Sequence, residues 1–211
     1  IVEIPIFNTS AIASGSWSLE AGYEDSWSSG KGYPRTATFH EGRLYLGGTK
    51  SRPNTLFGSR VARFFDFNPG EALDDDSIEA TLDTGTANPI IGMFSGRDLQ
   101  IFTSGGEFFV PQSSLDPITP SNIVINGSTR RGAKEGIKPV SVESGTIYIQ
   151  KAGKAVREFL FSDAELNYIS NNVSLLSSHL LNDPQKMSLR KATSTTDGDL
   201  LMVLNTDGTM A

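Results

Sequence analysis

Apolar side chains alternate with polar or small ones on either side of Gly42, along GYPRTATFHEGRLYLGG at 32–48. Ala37 and Phe39 lie on one face of the run from Thr36 to His40, and Leu44 and Leu46 on one face of the run from Arg43. A side-chain period of two belongs to a half-buried strand, and the Glu41-Gly42 pair between the runs suits a tight hairpin turn. The same grammar returns at 95–110 (SGRDLQIFTSGGEFFV), 144–161 (SGTIYIQKAGKAVREFLF) and 197–211 (DGDLLMVLNTDGTMA). The corresponding turn glycines, Gly42, Gly96, Gly145 and Gly198, stand 54, 49 and 53 residues apart.

The stretches between these units carry weaker signals. Ile1 to Phe7 reads as a strand, placed at an edge by Pro5. Asn54 to Ser59, Ser77 to Leu82 (with Ile78, Ala80 and Leu82 on one face) and Asn122 to Ile125 read as further strands. Asn68-Pro69-Gly70 is a turn. The one helical signal lies in 162–183, where Leu166, Ile169, Val173, Leu176 and Leu180 step by three or four. Ser162 and Glu165 have capping-box spacing, Asn182-Asp183-Pro184 stops the pattern, and Asn171-Asn172 shortens the predicted helix to about 172–182.

Four units of about 50 residues, each built of hairpins, predict an all-β fold: a β-propeller-like array of about four blades forming an incomplete ring, with one short helix. One such sheet cannot bury both faces alone, and stacking against neighbours solves that. A β-sandwich whose strands share glycine turns is the plainer alternative. The reading divides the chain into an extended N-terminal segment, 1–31, rich in Ser and Gly, and a propeller-like domain, 32–211. The chain opens on Ile1 without a methionine and its fourth unit breaks off after a second turn at Asp207-Gly208, so a fragment is expected.

Composition sharpens this picture. Twenty-one glycines and ten prolines among 211 residues supply many turns. The net charge of −6 argues against a general nucleic-acid-coating protein. No cysteine is present, which removes disulfides, thiol catalysis and cysteine-ligated metals. No apolar run approaches the ~18 residues of a membrane span.

Candidate chemistry is sparse. Asp74-Asp75-Asp76 lacks the spaced ligands of a calcium loop and reads as a solvated loop or as side chains capping local turns. Arg130, Arg131 and Lys134, with Lys138 nearby, form the densest basic cluster and are the candidate contacts for DNA phosphates or an acidic partner. No aromatic residues interleave them for base stacking. His40 and His179, the only histidines, show neither triad order nor zinc spacing. Ser194 to Asp199 (STTDGD) faintly resembles a sialidase Asp-box but lacks its terminal aromatic, and reads as a hairpin turn. Ser104-Gly105-Gly106 is a turn rather than a phosphate loop, since no Lys follows. Glu20, Glu24 and Asp25 are acidic, but no paired-carboxylate geometry can be read from them. Neither a metal nor a cofactor is implied, and no catalytic residue is assigned.

The run GYPRTATFHEGRLYLGGTKSRPNTLFGSR, followed in order by FFDFNPGEALDDDSIEATLDTG, IFTSGGEFFV, DPITPSN and IQKAGKAVREFLF, resembles the tail tubular protein B, or nozzle-like, family of tailed phages and prophages. The resemblance covers about residues 30–211. It implies a structural virion protein, not an enzyme, made in the bacterial host cytoplasm and residing in the phage tail. Such proteins form an oligomeric ring between an adaptor ring and the fibres or spike, around the DNA exit channel. The implied partners are those tail proteins and further copies of the chain, with DNA passing without sequence-specific binding during ejection and with no membrane contact. An acidic chain suits a lumen along which DNA slides, with Asp and Glu facing the axis. Two other classes remain: a carbohydrate-binding or glycan-cleaving propeller on the virion, which calls for Trp or Tyr beside paired carboxylates, and a protein-interaction propeller outside any virus.

Overall fold

The computed structural model describes residues 27–85, 88–111, 117–143 and 145–211. Among the described residues, fourteen strands form four antiparallel sheets in chain order. The first contains β1 (Thr36–His40), β2 (Arg43–Gly47), β3 (Thr55–Gly58) and β4 (Ile78–Thr81). The second contains β5 (Ile90–Ser95), β6 (Leu99–Thr103), β7 (Glu107–Val110) and β8 (Asn126–Thr129). The third contains β9 (Val140–Val142), β10 (Gly145–Ile149), β11 (Val156–Ser162) and β12 (Asn167–Asn172), and the fourth pairs β13 (Pro184–Arg190) with β14 (Leu200–Asn205). Within each sheet every strand pairs with its neighbour in sequence. The strand expected at Ile1 to Phe7 lies outside the described residues.

Local chemistry explains the hairpins. Glu41 and Gly42 both have positive φ, 47° and 70°, the signature of the type I′ turn that matches strand twist. Thr36 to His40 then pairs in register with Gly47 to Arg43. Leu44, Leu99, Ile147 and Leu201 all sit on the second strand of their sheets. The third unit is one residue out of step: Gly145 lies inside β10, opposite Val142, whereas Gly42, Gly96 and Gly198 lie between strands. Ile147 therefore packs toward the fourth sheet, while Leu99 packs toward the first.

Each pair of consecutive sheets shares a core. Tyr45, Leu56 and Ile78 of the first meet Ile90, Met93, Leu99, Ile101 and Val110 of the second. Phe102 and Phe109 of the second meet Tyr148, Phe159 and Tyr168 of the third. Ile147, Ile149 and Val156 of the third meet Val203, Met187 and Leu201 of the fourth. Alternate side chains of a strand point to opposite faces, so β6 supplies two cores at once, and so does β10. Every residue of both strands is buried.

Two expectations are corrected. The predicted helix at 172–182 is a single 3-10 turn, Ser178–Leu180, and the chain ahead of it forms β12. The apolar steps of three and four coincide with something else: Tyr168 and Ile169 pair with Phe161 and Leu160 on β11, and Leu166 turns the hairpin at φ 50°. Ser162 ends β11 instead of capping a helix. The strand expected at Asn122 to Ile125 is displaced to β8. Asn122 instead closes a turn, accepting the Thr119 amide at 2.7 Å, while Ile123 and Ile125 pack against the first core without joining the ladder.

Candidate functional site

The basic loop lies on the crossover between the second and third sheets, and a device repeated along the chain positions it. Each lead-in to a new sheet docks on the turn after the second strand of the previous one. The Ile90 amide donates to the Pro53 carbonyl at 2.9 Å, and the Ala133 amide donates to the Thr103 carbonyl at 2.8 Å. At the third boundary, Lys154 Nζ donates to the Leu181 carbonyl at 3.0 Å. A proline marks each lead-in, Pro34, Pro89, Pro139 and Pro184, where a ring that fixes φ and donates no hydrogen bond suits the start of a strand. These prolines were a readable signal of the repeat that the turn glycines alone understate.

The loop is a clasp. The Lys134 amide donates to the Ile149 carbonyl at 2.9 Å, and the Lys151 amide donates back to the Gly132 carbonyl at 2.8 Å. Gly132 has φ +72°, and an added Cβ would lie 2.4 Å from the Ser104 carbonyl oxygen. Gly132→Ala is therefore expected to cost about 1–3 kcal/mol, through positive-φ strain and a backbone clash. Gly198→Ala, which meets nothing within 4 Å and needs no positive φ, is the neutral control. Equal urea midpoints for the two variants would contradict this.

The three candidate contact residues go to different places. Arg130 lines a cleft of about 620 Å³ between the segment after β4 and the β7–β8 side of the second sheet. Arg131 gives its backbone amide to Glu107 Oε2 at 3.2 Å. Lys134 Nζ donates to Asp183 Oδ1 at 2.6 Å, just ahead of β13. Glu135 in the same loop pairs with Arg35. The clasp thus bonds to the second and third sheets and to the approaches of the first and fourth, and the cluster is divided between two sheet boundaries.

Beneath the clasp lies a group that sequence reading missed. Glu107 is fully buried, and its Oε2 also accepts the Thr129 hydroxyl. The Tyr148 hydroxyl and the Gly132 amide lie close to the same carboxyl group, yet Oε1 has no partner in good bonding geometry. Burial raises the Glu107 pKa, and the surrounding donors only partly offset this. A raised folded-state pKa gives stability that is fully present below the ordinary glutamate value and is lost as pH rises through the folded value. Glu107→Gln is expected to flatten that decline and to raise the urea midpoint at neutral pH relative to the parent. A parallel decline in both proteins would contradict it. The signal available in the sequence was the alternation itself, which puts Glu107 and Phe109 on one buried face.

The remaining motifs are structural. Asp76 is buried and accepts the amides of Glu71 and Leu73 at 3.1 and 3.0 Å and Arg60 at 2.7 Å, so it caps a turn, while Asp74 and Asp75 are exposed. His40 Nδ1 meets Ser95 Oγ at 2.8 Å across the first boundary, and His179 is exposed on the 3-10 turn. Ser194 to Asp199 and Ser104 to Gly106 connect paired strands. Trp27 packs edge-on against Phe57 and Phe67. The described lining of the large cleft has one carboxylate, Asp83. Glu20, Glu24 and Asp25 lie outside the described residues. Among the described residues no group of three His, Asp or Glu is placed to hold a metal, and no helix is long and apolar enough to cross a membrane. The chain matches no protein-family model and no curated protein.

Proposed function

We propose that the four sheets are blades of a propeller-like array and that the protein is a structural component of a phage or prophage tail, part of the nozzle around the DNA exit channel. On this reading it works by protein–protein assembly and catalyses nothing. The observation that carries the proposal is the chain-order succession of hairpin-built sheets, each sharing a core with the next. The contacts between sheets support a radial layout: β1 abuts β5 and β9 abuts β13, both pairs of first strands, while β8 abuts β12, both fourth strands. The ordered sequence blocks that resemble the nozzle family supply the tail assignment.

The charged loop fits an architectural role, because its backbone ties blades together and leaves Arg130 as the side chain facing a cleft. The net charge of −6 suits a channel that repels DNA, with Asp and Glu toward the ring axis. Electron microscopy of the protein mixed with tail-tube proteins tests the proposal. A closed ring seated on the tube end, with acidic side chains at its axis, is the expected result. A free monomer that cleaves glycans, or an axis lined mainly by Lys and Arg, would end it.

A further inference from the structure

A second, smaller cleft of about 320 Å³ opens at the first boundary, where the β1–β2 hairpin, the β3–β4 connection and the β7–β8 connection meet. Tyr45 of β2 forms part of its wall. That side chain is fully buried, yet its hydroxyl has no hydrogen-bond partner. Burying a hydroxyl without a partner costs free energy, and a phenylalanine there would avoid the cost. The hydroxyl end of the ring lies on the cleft side. Burial raises its pKa, and the charges of Arg43 and Glu41, both in the cleft wall, also act on it.

The rim of this cleft is acidic. Glu41, Asp74 and Asp75 are exposed around the opening. Asp75 is shared with Arg60 at 3.4 Å, while Glu41 and Asp74 form no ion pair among the described residues. Arg43, the cation in the described wall, is already engaged, donating to the Ser59, Asp74 and Asp76 carbonyls. The rim carboxylates are not gathered to hold a metal ion. Between them the wall is hydrocarbon, from Val61, Pro117 and Ile118. Such a rim repels an anion, and its apolar wall suits a cation that carries a hydrocarbon body.

We propose that this cleft binds a primary ammonium group on an aliphatic stem, the chemistry of a lysine side chain or of a free alkyl diamine. The stem lies against Val61, Pro117 and Ile118. The ammonium donates to the Glu41 and Asp74 carboxylates and to the Tyr45 hydroxyl, so a group that only donates meets groups that accept. The site goes beyond the tail reading and is independent of it.

NMR titration of the whole chain with N-acetyl-lysine methylamide, with cadaverine and with the neutral pentanol tests it. Both amines are expected to bind, more weakly as salt is added, and pentanol is not. The tighter amine identifies the source: the blocked lysine a side chain of a partner protein, cadaverine a free diamine. Glu41→Gln with Asp74→Asn is expected to raise the dissociation constant of the tighter amine more than ~10-fold. The backbone carbonyl of Asp74, which holds Arg43, is unchanged in that variant. Tyr45→Phe is expected to unfold at the parent's urea midpoint or above it, having lost an unpartnered hydroxyl, and still to bind more than ~3-fold more weakly.

A parent that binds neither amine overturns the proposal, and so does one that binds pentanol equally well. An unchanged dissociation constant in the Glu41/Asp74 variant does the same, since the rim would then play no part. A Tyr45→Phe variant that folds and binds as the parent does also overturns it, because the hydroxyl would not meet the ligand. Should Tyr45→Phe fail to fold by circular dichroism, the ring resonances of Tyr45 in the parent replace it: they are expected to shift on titration, and their standing still overturns the proposal.

Discussion

Arg43→Ala is expected to destabilise the first sheet by about 3–5 kcal/mol, among the largest effects of any single substitution in this chain. Arg43 is on β2 and only 2% exposed. Its guanidinium donates to the Ser59 carbonyl at 2.8 Å, the Asp76 carbonyl at 2.5 Å and the Asp74 carbonyl at 2.6 Å. It therefore pins both ends of the long β3–β4 connection to the sheet. Burial lowers its pKa, and Tyr45 with the nearby Asp75 and Asp76 carboxylates offsets only part of this. Alanine leaves several buried carbonyl oxygens without a donor, each costing on the order of 1–3 kcal/mol, minus what relaxation and water recover. Arg43→Lys restores charge but not the fork, and is expected to recover only part of the loss. Urea unfolding measures this directly. A loss below ~1 kcal/mol for the alanine variant would show that the connection is held by other contacts.

The second large effect is at the boundary between the second and third sheets. Phe102 is fully buried, with its ring centroid 5.1 Å from that of Tyr148 and 5.4 Å from that of Phe159. Phe159 in turn stacks on Tyr168 at 4.6 Å with planes 9° apart. Phe102→Ala opens a cavity in the middle of this cluster and is expected to cost about 3–5 kcal/mol. Tyr168 also donates its hydroxyl to Asp98 Oδ2 at 2.8 Å, and its own pKa is pushed up to about 12 by burial and by that aspartate. The cluster is thus locked at its rim by a buried hydrogen bond between sheets. Phe65→Ala is the matched control: the same chemical change at a 92% exposed position is expected to stay within about 0.5 kcal/mol. Similar losses for the two phenylalanines would mean that the boundary does not behave as a packed core.

Strands with a period of two and a glycine turn were legible in the sequence. Thr36 to His40, Arg43 to Gly47, Leu99 to Thr103 and Gly145 to Ile149 carry their own evidence, because alternation and turn chemistry agree locally. Residues 162–183 misled for a physical reason. Spacings of three and four between Leu166, Ile169, Val173, Leu176 and Leu180 mimic a helix, but β11 offers a ready ladder to 167–172, and tertiary pairing outweighs a weak local preference. Asn122 to Ile125 misled in the same way: its isoleucines pack against the first core, yet the backbone that pairs is the polar stretch after them.

The candidate site was less legible, because its chemistry is mainly backbone. Arg130, Arg131 and Lys134 drew notice by charge, while the amides of Arg131, Ala133 and Lys134 make the bonds between sheets. Side-chain type cannot report which carbonyl an amide will find. Glu107 was missed for a different reason: alternation sets it on the face of Phe109, but an acidic residue there reads as polar and draws no notice as a buried group.

The dual allegiance of β6 and β10 has a consequence for how the molecule opens. A strand whose odd and even side chains answer to different neighbours cannot come loose from one without disturbing the other. Amides of Leu99 to Thr103 and Gly145 to Ile149 should accordingly be the slowest to exchange with deuterium, at rates set by opening of the whole array. Those of β14, which among the described residues pairs on one side with β13 and on the other with residues 209–211 alone, should exchange by local fraying.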